Sequence, residues 1–183
     1  MEATLNNITL EVITGDITAL TVDAFVYAAR PDLDMGGSGL GQKYLQKAGE
    51  SVQAECRAIR FCDVGEVIIT SAGNLPGRYL IHAVTPRMGE GGERGKLASA
   101  IWNSLRLAVK HEVTSIAFPA LAIGRHGGYP AEGCARVMAQ KIVDFTFEDV
   151  GKLSKIVVCL YKPEIHAIFD EAFRSEVDAA KEP

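Results

Sequence analysis

The amino-acid sequence lacks long apolar runs, paired cysteines and an excess of basic residues, and each absence excludes a class of protein. Its longest apolar stretches, Ile116–Ile123 and Ile156–Tyr161, are far shorter than the about 20 residues that a membrane-spanning helix requires. The four cysteines include no Cys-x-x-Cys pair, so we expect four buried, reduced thiols and no metal site. The 19 lysines and arginines are outnumbered by 23 aspartates and glutamates, which argues against a protein that coats nucleic acid but leaves room for one basic patch.

The N-terminal residues and the overall composition favour an ordinary globular protein of the cytoplasm. Residues 1–7 contain no basic segment followed by an apolar one, so they do not resemble a secretory signal. The 183 residues, of which 48% are hydrophobic and 23% charged, suffice for about one domain with its own core. We predict a single domain over residues 1–175, a C-terminal tail over 176–183, a cytoplasmic location, no membrane partner, and no cofactor or metal.

Short strand-like runs alternate with stretches of helical periodicity along the chain. Six runs bounded by turn residues are predicted as strands, namely Ile8–Ile13, Ala24–Tyr27, Glu66–Thr70, Tyr79–Val84, Ser115–Ala120 and Lys155–Tyr161. Apolar residues at helical spacing predict helices over 40–59, with a break near Gly49, and over 97–109, 134–145 and 165–173. Several strand runs are apolar on both faces, as in a strand that is covered by helices on both sides. The sequence therefore predicts an α/β fold, a three-layer α/β/α sandwich with a central mixed, mostly parallel sheet.

The residues that directly follow the strands are the first candidates for function, because ligands of such sheets collect beyond the carboxyl ends of the strands. Thr14–Thr18 follows the first predicted strand and contains Asp16 in a Gly-Asp turn. A carboxylate held in such a turn can accept a hydrogen bond from an exocyclic amine, such as N6 of adenine. An aspartate in this pattern also caps turns and helices, so both interpretations of Asp16 stay open.

Two glycine-bearing loops follow two other strands. The first, Ala28–Gly41, contains Gly36, Gly37 and Gly39, and the second is Ala122–Pro130. Glycines let the backbone approach a ligand, and amides at the start of a helix favour anions, so the two loops could hold a diphosphate between them. Neither loop has the spacing of a dinucleotide-binding fingerprint or of a Walker loop, and glycine turns also occur without a ligand.

Of four other features, Tyr161 and His126 have both a functional and an ordinary structural interpretation, and the other two are interpreted as structural. Tyr161 could cover a base at the end of the last strand, or belong to ordinary packing. His126 either contacts a ligand or is a solvated loop residue, whereas His82 lies within a strand and is predicted to be a hydrogen-bonded core histidine. The segment 87–96 is rich in glycine and charge, which predicts a surface loop.

The order and spacing of these motifs resemble the macrodomain family. The resemblance starts with Gly15-Asp-Ile-Thr18, Val22–Ala29 and Gly36–Gly39, and it continues through Gly65–Thr70, Gly73–Pro76, Tyr79–Val84 and Ile116–Ala120. It extends from about Leu10 to Phe173, which is nearly the whole chain. The resemblance implies a protein that binds ADP-ribose or a related adenine nucleotide, and some members of the family also remove ADP-ribose from proteins, nucleic acids or small metabolites.

The same resemblance assigns a role to individual positions. Asp16 matches the acidic residue that receives the adenine amine, with the amide of Ile17 beside it, and Tyr161 matches an aromatic position that often stacks on adenine. The first phosphate-binding loop corresponds to Gly36, Gly37, Ser38 and Gly39. The second phosphate-binding loop corresponds to Ala122, Ile123, Gly124, Arg125, His126 and Gly127. The partner implied by the resemblance is ADP-ribose or an ADP-ribosylated target.

The chain also departs from the family pattern at the end of the site that would hold the distal ribose. Arg30 stands where the family usually has a second asparagine, and Leu40 or Gly41 stands where the hydrolytic branch has an aspartate. Neither leucine nor glycine can act as a general base, so we predict a binding protein without the usual hydrolytic residues.

Two alternatives follow from these departures. Arg30, Arg125 and His126 could suit a ligand with an extra phosphate or a nucleic-acid terminus, or they could simply be solvated. Alternatively, His126, Asp32 or Asp34 could serve as a relocated base in an ADP-ribosyl hydrolase or an O-acetyl-ADP-ribose deacetylase.

Overall fold

The computed structural model describes residues 1–37 and 39–182, and within them seven strands form a single mixed sheet. The strands are β1 (Glu2–Leu5), β2 (Ile8–Thr14), β3 (Ala24–Ala29), β4 (Val67–Ser71), β5 (Tyr79–Val84), β6 (Ser115–Phe118) and β7 (Lys155–Leu160). Their order across the sheet is β1-β2-β7-β6-β3-β5-β4. Neighbouring strands are parallel except at the two edges, where β1 pairs with β2 and β4 pairs with β5 in antiparallel fashion. The predicted mixed, mostly parallel sheet is confirmed.

The helices of the described residues cover both faces of this sheet. They are α1 (Gly39–Ala48), α2 (Glu50–Ile59), α3 (Glu93–Lys110), α4 (Ala131–Phe145) and α5 (Pro163–Lys181). Helices α3, α4 and α5 pack with one another and with one face, while α1 and α2 lie against the other. The break between α1 and α2 falls at Gly49, whose φ of 98° lies in the region that favours glycine. The three-layer α/β/α sandwich is thus confirmed.

Alternation along the central strands divides the apolar residues between two cores. In β3, Ala24 and Val26 belong to the core under α3–α5, whereas Phe25 and Tyr27 belong to the core under α1 and α2. Strand β7 alternates in the same way. Because successive side chains of a strand point to opposite faces, a strand between two helical layers must be apolar throughout, as the sequence is here.

Three features differ from the sequence-based expectations. Strand β1 was not predicted, and it pairs with β2 through a two-residue turn in which Asn6 and Asn7 both have positive φ. The segment 87–96 is a loop only as far as residue 92, because α3 begins at Glu93. Helix α5 continues to Lys181, beyond the predicted helical segment 165–173, and its apolar stripe includes the buried Val177.

The burial of the cysteines and the length and apolarity of the helices agree with what the composition predicts. All four cysteines are buried free thiols, as predicted, and burial raises the pKa of each, that of Cys134 to about 12. Within residues 1–37 and 39–182, no helix has the length and apolarity needed to span a membrane.

Candidate functional site

A cleft made of two hollows lies at the carboxyl ends of the parallel strands. The hollow of about 430 Å³, which we call the arginine cavity, is lined by Arg30, Arg87 and Arg125 among others. The hollow of about 550 Å³, which we call the Asp16 cavity, is lined by Asp16 and Tyr161 among others. Five residues line both, namely Gly39, Leu40, Pro119, Ala120 and Gly124. The hollows therefore adjoin each other between the loops that follow β3 and β6, and we refer to the two together as the cleft.

Asp16 both caps a turn and presents a carboxylate oxygen to the cleft. Its Oδ1 accepts hydrogen bonds from the Thr18 amide at 3.0 Å and the Thr18 hydroxyl at 2.7 Å, which caps the short 3-10 turn Ile17–Ala19. Its Oδ2 lies 3.0 Å from Nζ of Lys43 and 3.5 Å from Nζ of Lys47. The hydrogen bond from Thr18, and then the nearby Lys43, hold the pKa of Asp16 well below its usual range. Oδ1 of the ionised carboxylate therefore caps the turn, and Oδ2 is the oxygen on which the acceptor interpretation depends.

The Tyr161 ring forms an exposed wall of the Asp16 cavity. Its exposed fraction is 76%, which is unusual for a large aromatic side chain that follows a buried strand. The ammonium group of Lys43 lies 5.6 Å from the centre of the ring. An open aromatic face and a carboxylate on the same hollow provide a stacking surface and a polar edge for a planar ring.

Some amides of the first glycine loop are already hydrogen-bonded to side chains of the same loop. Oδ1 of Asp34 accepts from the amide of Gly36 at 2.9 Å, and Asp32 accepts from the amide of Asp34 at 3.0 Å. The guanidinium of Arg30 donates to Asp32 at 2.7 Å and lies so close to Gly37 that a Cβ there would be 2.7 Å from Nη1. Gly36 and Asp32 do not line the cleft, whereas Arg30, Asp34, Gly37 and Gly39 do. The prediction for Ser38 lies outside the described residues.

The second glycine loop offers backbone donors to the cleft. The amides of Gly127 and Gly128 donate to the carbonyl of Gly124 at 3.0 and 2.9 Å, which closes the loop on itself. The amides of Ile123, Gly124 and Arg125 have no hydrogen-bond partner among residues 1–37 and 39–182. Successive unpaired amides in a loop of this kind form a concave binding surface for an anion.

The tight turn of this loop depends on Gly127. A Cβ on Gly127 would lie only 2.1 Å from the carbonyl oxygen of Ala122, and that oxygen is itself bonded to the amide of Tyr129 at 2.8 Å. We expect Gly127→Ala to lower the free energy of unfolding by about 1–3 kcal/mol, since the backbone must move apart. Urea denaturation would measure this loss. Gly124→Ala is the matched control, because no described atom lies within 4 Å of a Cβ at that position; equal losses for both variants would contradict the steric argument.

Three arginines from three different loops meet at the arginine cavity. Arg30 follows β3, Arg87 follows β5 and Arg125 follows β6. Asp34 and Glu90 line the same hollow, and Arg30 is paired with Asp32. Within the described part of the chain, Arg87 and Arg125 form no ion pair. This end of the cleft can therefore contribute guanidinium donors to an anionic ligand.

A buried hydrogen-bond network lies behind the arginine cavity. The Thr70 hydroxyl donates to the carbonyl of Ser71 at 3.0 Å, so it accepts from Nε2–H of His82 at 2.8 Å. The hydroxyl of Tyr27, a residue that lines the cavity, therefore donates to Nδ1 of His82 at 2.7 Å. His82 is fully buried, and burial lowers its pKa to about 3. The prediction of a hydrogen-bonded core histidine is confirmed.

The structure brings most of the predicted site residues together and adds others. Asp16, Ile17, Ile123 and Tyr161 line the Asp16 cavity, while Arg30, Gly37, Ala122, Arg125, His126 and Gly127 line the arginine cavity. Sequence reasoning missed Lys43, Arg87 and Glu90. Helical spacing could have found Lys43, since it follows Gly39 by four residues and shares its helix face. The rule that ligands collect after the strands could have found Arg87.

The fold and the cleft together define a class of protein. A mostly parallel sheet between helical layers, with glycine loops and an aromatic ring around a cleft at its carboxyl edge, is the arrangement of a nucleotide-binding α/β protein. The model of the family described as Macro domain matches residues 26–138. The chain belongs to this family.

Three proteins illustrate what the chain is similar to. The macrodomain of Oceanobacillus iheyensis, solved with ADP, has a TM-score of 0.90 and 31% identity, and the match covers 98% of this chain and 97% of that one. The macrodomain of Trypanosoma brucei, solved in complex with ADP-ribose, has a TM-score of 0.81 and 28% identity over 90% of this chain and 68% of that one. The ADP-ribose glycohydrolase MACROD2 of Xenopus laevis is 36% identical over 151 residues, which are 80% of this chain and 35% of that protein.

Proposed function

We propose that this protein binds ADP-ribose or a closely related adenine nucleotide in the cleft. The observation that supports the proposal most strongly is that the hollow of Asp16 and Tyr161 adjoins the hollow of the two glycine loops and shares five lining residues with it. Two similar macrodomains were solved with ADP and with ADP-ribose. Two adjoining hollows suit a ligand with a planar base at one end and a polar sugar at the other.

Each part of ADP-ribose has a matching part of the cleft. Adenine would stack on Tyr161 and donate from N6 to Asp16, beside the amide of Ile17. The diphosphate would lie between the loops, next to the amides of Ile123 to Arg125. The distal ribose would then lie in the arginine cavity. Arg30, Arg87 and Arg125 favour a target that brings a further phosphate, such as a nucleic-acid terminus.

Calorimetric titration with ADP-ribose tests the proposal directly. We expect binding of ADP-ribose to be at least about tenfold tighter than binding of AMP, because AMP leaves the second phosphate and the arginine cavity without contacts. The absence of both a binding heat and a thermal shift at about 1 mM ADP-ribose would refute the proposal.

A second candidate function is hydrolysis of an ADP-ribosyl bond. Two observations favour it, namely the similarity to a protein named as an ADP-ribose glycohydrolase and the presence of Asp34 and His126 on the arginine cavity. Asp34 is the better placed of the two aspartates considered above, because Asp32 does not line the cleft. In this reaction Asp34 would take a proton from water, the water oxygen would bond to the anomeric carbon of the distal ribose, and the bond from that carbon to the target would break. The target would leave with the proton returned by Asp34, so that ADP-ribose and the unmodified target are the products.

The hydrolytic hypothesis predicts a specific effect of Asp34. Incubation with mono-ADP-ribosylated protein should release more than one equivalent of ADP-ribose per protein, and Asp34→Asn should slow the release by about 100-fold or more. Asp63→Asn is the matched control, because Asp63 is exposed and does not line the cleft. Release that stops at one equivalent would favour binding alone. Release of more than one equivalent that is unaffected by Asp34→Asn would remove the role of Asp34 and place the proton acceptor on another residue.

A further inference from the structure

The carboxylate that faces the Asp16 cavity is accompanied by a hydrogen-bond donor. Nζ of Lys43 lies 3.0 Å from Oδ2 of Asp16, and both residues line this hollow. The same ammonium group lies 5.6 Å from the centre of the Tyr161 ring, which is the stacking surface proposed above. A base stacked on Tyr161 would therefore meet the carboxylate acceptor and an ammonium donor side by side, in addition to the amide of Ile17.

Such a pair of groups is complementary to two kinds of purine. The edge of adenine has an amine donor at position 6 beside an acceptor at N1. The edge of a 6-oxopurine, hypoxanthine or guanine, has an acceptor at O6 beside a donor at N1. A carboxylate alone can only accept, so it can bind the amine of adenine or N1–H of a 6-oxopurine, but it gives O6 no donor and repels it. A carboxylate beside an ammonium can bind either edge, because the two groups exchange partners when the base changes.

We propose that Lys43 determines the base specificity of this site and allows it to accept 6-oxopurine nucleotides as well as adenine nucleotides. The proposal rests on the proposed function, since it concerns the base end of the same cleft. With Asp16, Lys43 forms an acceptor-donor pair that accommodates both purine edges. The side chains of Lys43 and Asp16 are partly exposed, at 40% and 34%, so their own attraction is weak and the partners can exchange for a ligand.

Lys47 provides a matched comparison within the same helix. Its Nζ lies 3.5 Å from the same oxygen of Asp16 and its side chain is exposed to a similar extent, but Lys47 does not line the cavity. The two lysines therefore contribute nearly equal charge near Asp16, while only Lys43 is placed to touch a base. Any effect of charge alone should appear in both lysine variants.

The experiment is a calorimetric titration of the full chain with ADP-ribose and with inosine diphosphate ribose, its hypoxanthine analogue. We expect the native protein to bind the two ligands within about tenfold of each other. Lys43→Met should weaken binding of the hypoxanthine ligand by about tenfold or more, because O6 would then face an uncompensated carboxylate, and should change binding of ADP-ribose by less than about threefold. Lys47→Met should alter the ratio of the two affinities by less than about threefold.

Each contrary result has a distinct meaning. Binding of ADP-ribose together with rejection of the hypoxanthine ligand by more than about tenfold would overturn the proposal and leave the proposed function intact. An equal effect of Lys43→Met on both ligands, or tighter binding of ADP-ribose by that variant, would also overturn it, since the lysine would then act by charge or by filling the site. Failure of the native protein to bind either ligand would refute the proposed function itself.

Discussion

Replacing Asp16 with alanine is expected to weaken binding of ADP-ribose by about 1–3 kcal/mol, which is roughly 5- to 150-fold. The substitution removes the acceptor for the adenine amine and leaves Lys43 and Lys47 beside an empty place in the cleft. It also removes the cap of the Ile17–Ala19 turn. Two contributions are thus lost together, one to the ligand and one to the shape of the site, and titration calorimetry measures their sum.

Two further variants separate these contributions. Asp16→Asn keeps an oxygen that can cap Thr18, but it replaces the charge and one of the two acceptors, so we expect an intermediate loss of affinity. Asp178→Ala changes an exposed carboxylate on α5 and should leave the affinity unchanged. An affinity of Asp16→Ala equal to that of the native protein would exclude Asp16 from the site.

The second large effect concerns the buried histidine and the dependence of stability on pH. Burial lowers the pKa of His82 to about 3, from 6.5 in the unfolded chain. Between these values the unfolded state binds a proton that the folded state does not bind, so the free energy of unfolding falls as the pH falls. The contribution of neutral His82 is therefore fully present above the unfolded pKa and is lost progressively below it. We expect a loss of about 2 kcal/mol between about pH 7.5 and about pH 5.

Urea denaturation at these two pH values measures the loss, and this window isolates the histidine from the acidic groups. Asp16, Asp23 and Asp170 also have lowered pKa values, but their contributions are lost only as the pH falls below the ordinary aspartate range. His82→Gln supplies a donor for Thr70 and an acceptor for Tyr27 without a titrating ring. We expect this variant to be less stable at neutral pH but to lose little further stability by about pH 5. An equal loss in the native protein and in His82→Gln would show that His82 is not the responsible group.

Local patterns in the sequence predicted most of the secondary structure, because the strands and helices follow from the spacing of apolar residues. Strand β5 has the predicted bounds, and the break near Gly49 separates α1 from α2 as expected. The exception, β1, is a short edge strand with one exposed face, so its apolar alternation is brief. Its only local signal is the turn at Asn6 and Asn7.

Within the cleft, the sequence was most informative where a residue type is tied to backbone position. Asp16, Tyr161 and both glycine loops follow strands, and parallel strands bring their carboxyl ends to one edge of the sheet. The sequence was less informative about where the ends of long side chains lie. Arg87 lies in a segment whose composition predicts only a surface loop, and yet it lines the arginine cavity.

The sequence by itself thus determined the family, the order of strands and helices from β2 onward, and the edge of the sheet on which the cleft lies, since these depend on local spacing and on motifs along the chain. Only the tertiary structure decided which groups face one another across that edge. It placed Lys43 beside Asp16 and brought three arginines from separate loops to one hollow. The physical reason is that the positions of flexible side chains and loop amides depend on contacts with other segments, and a pattern of neighbouring residues does not encode those contacts.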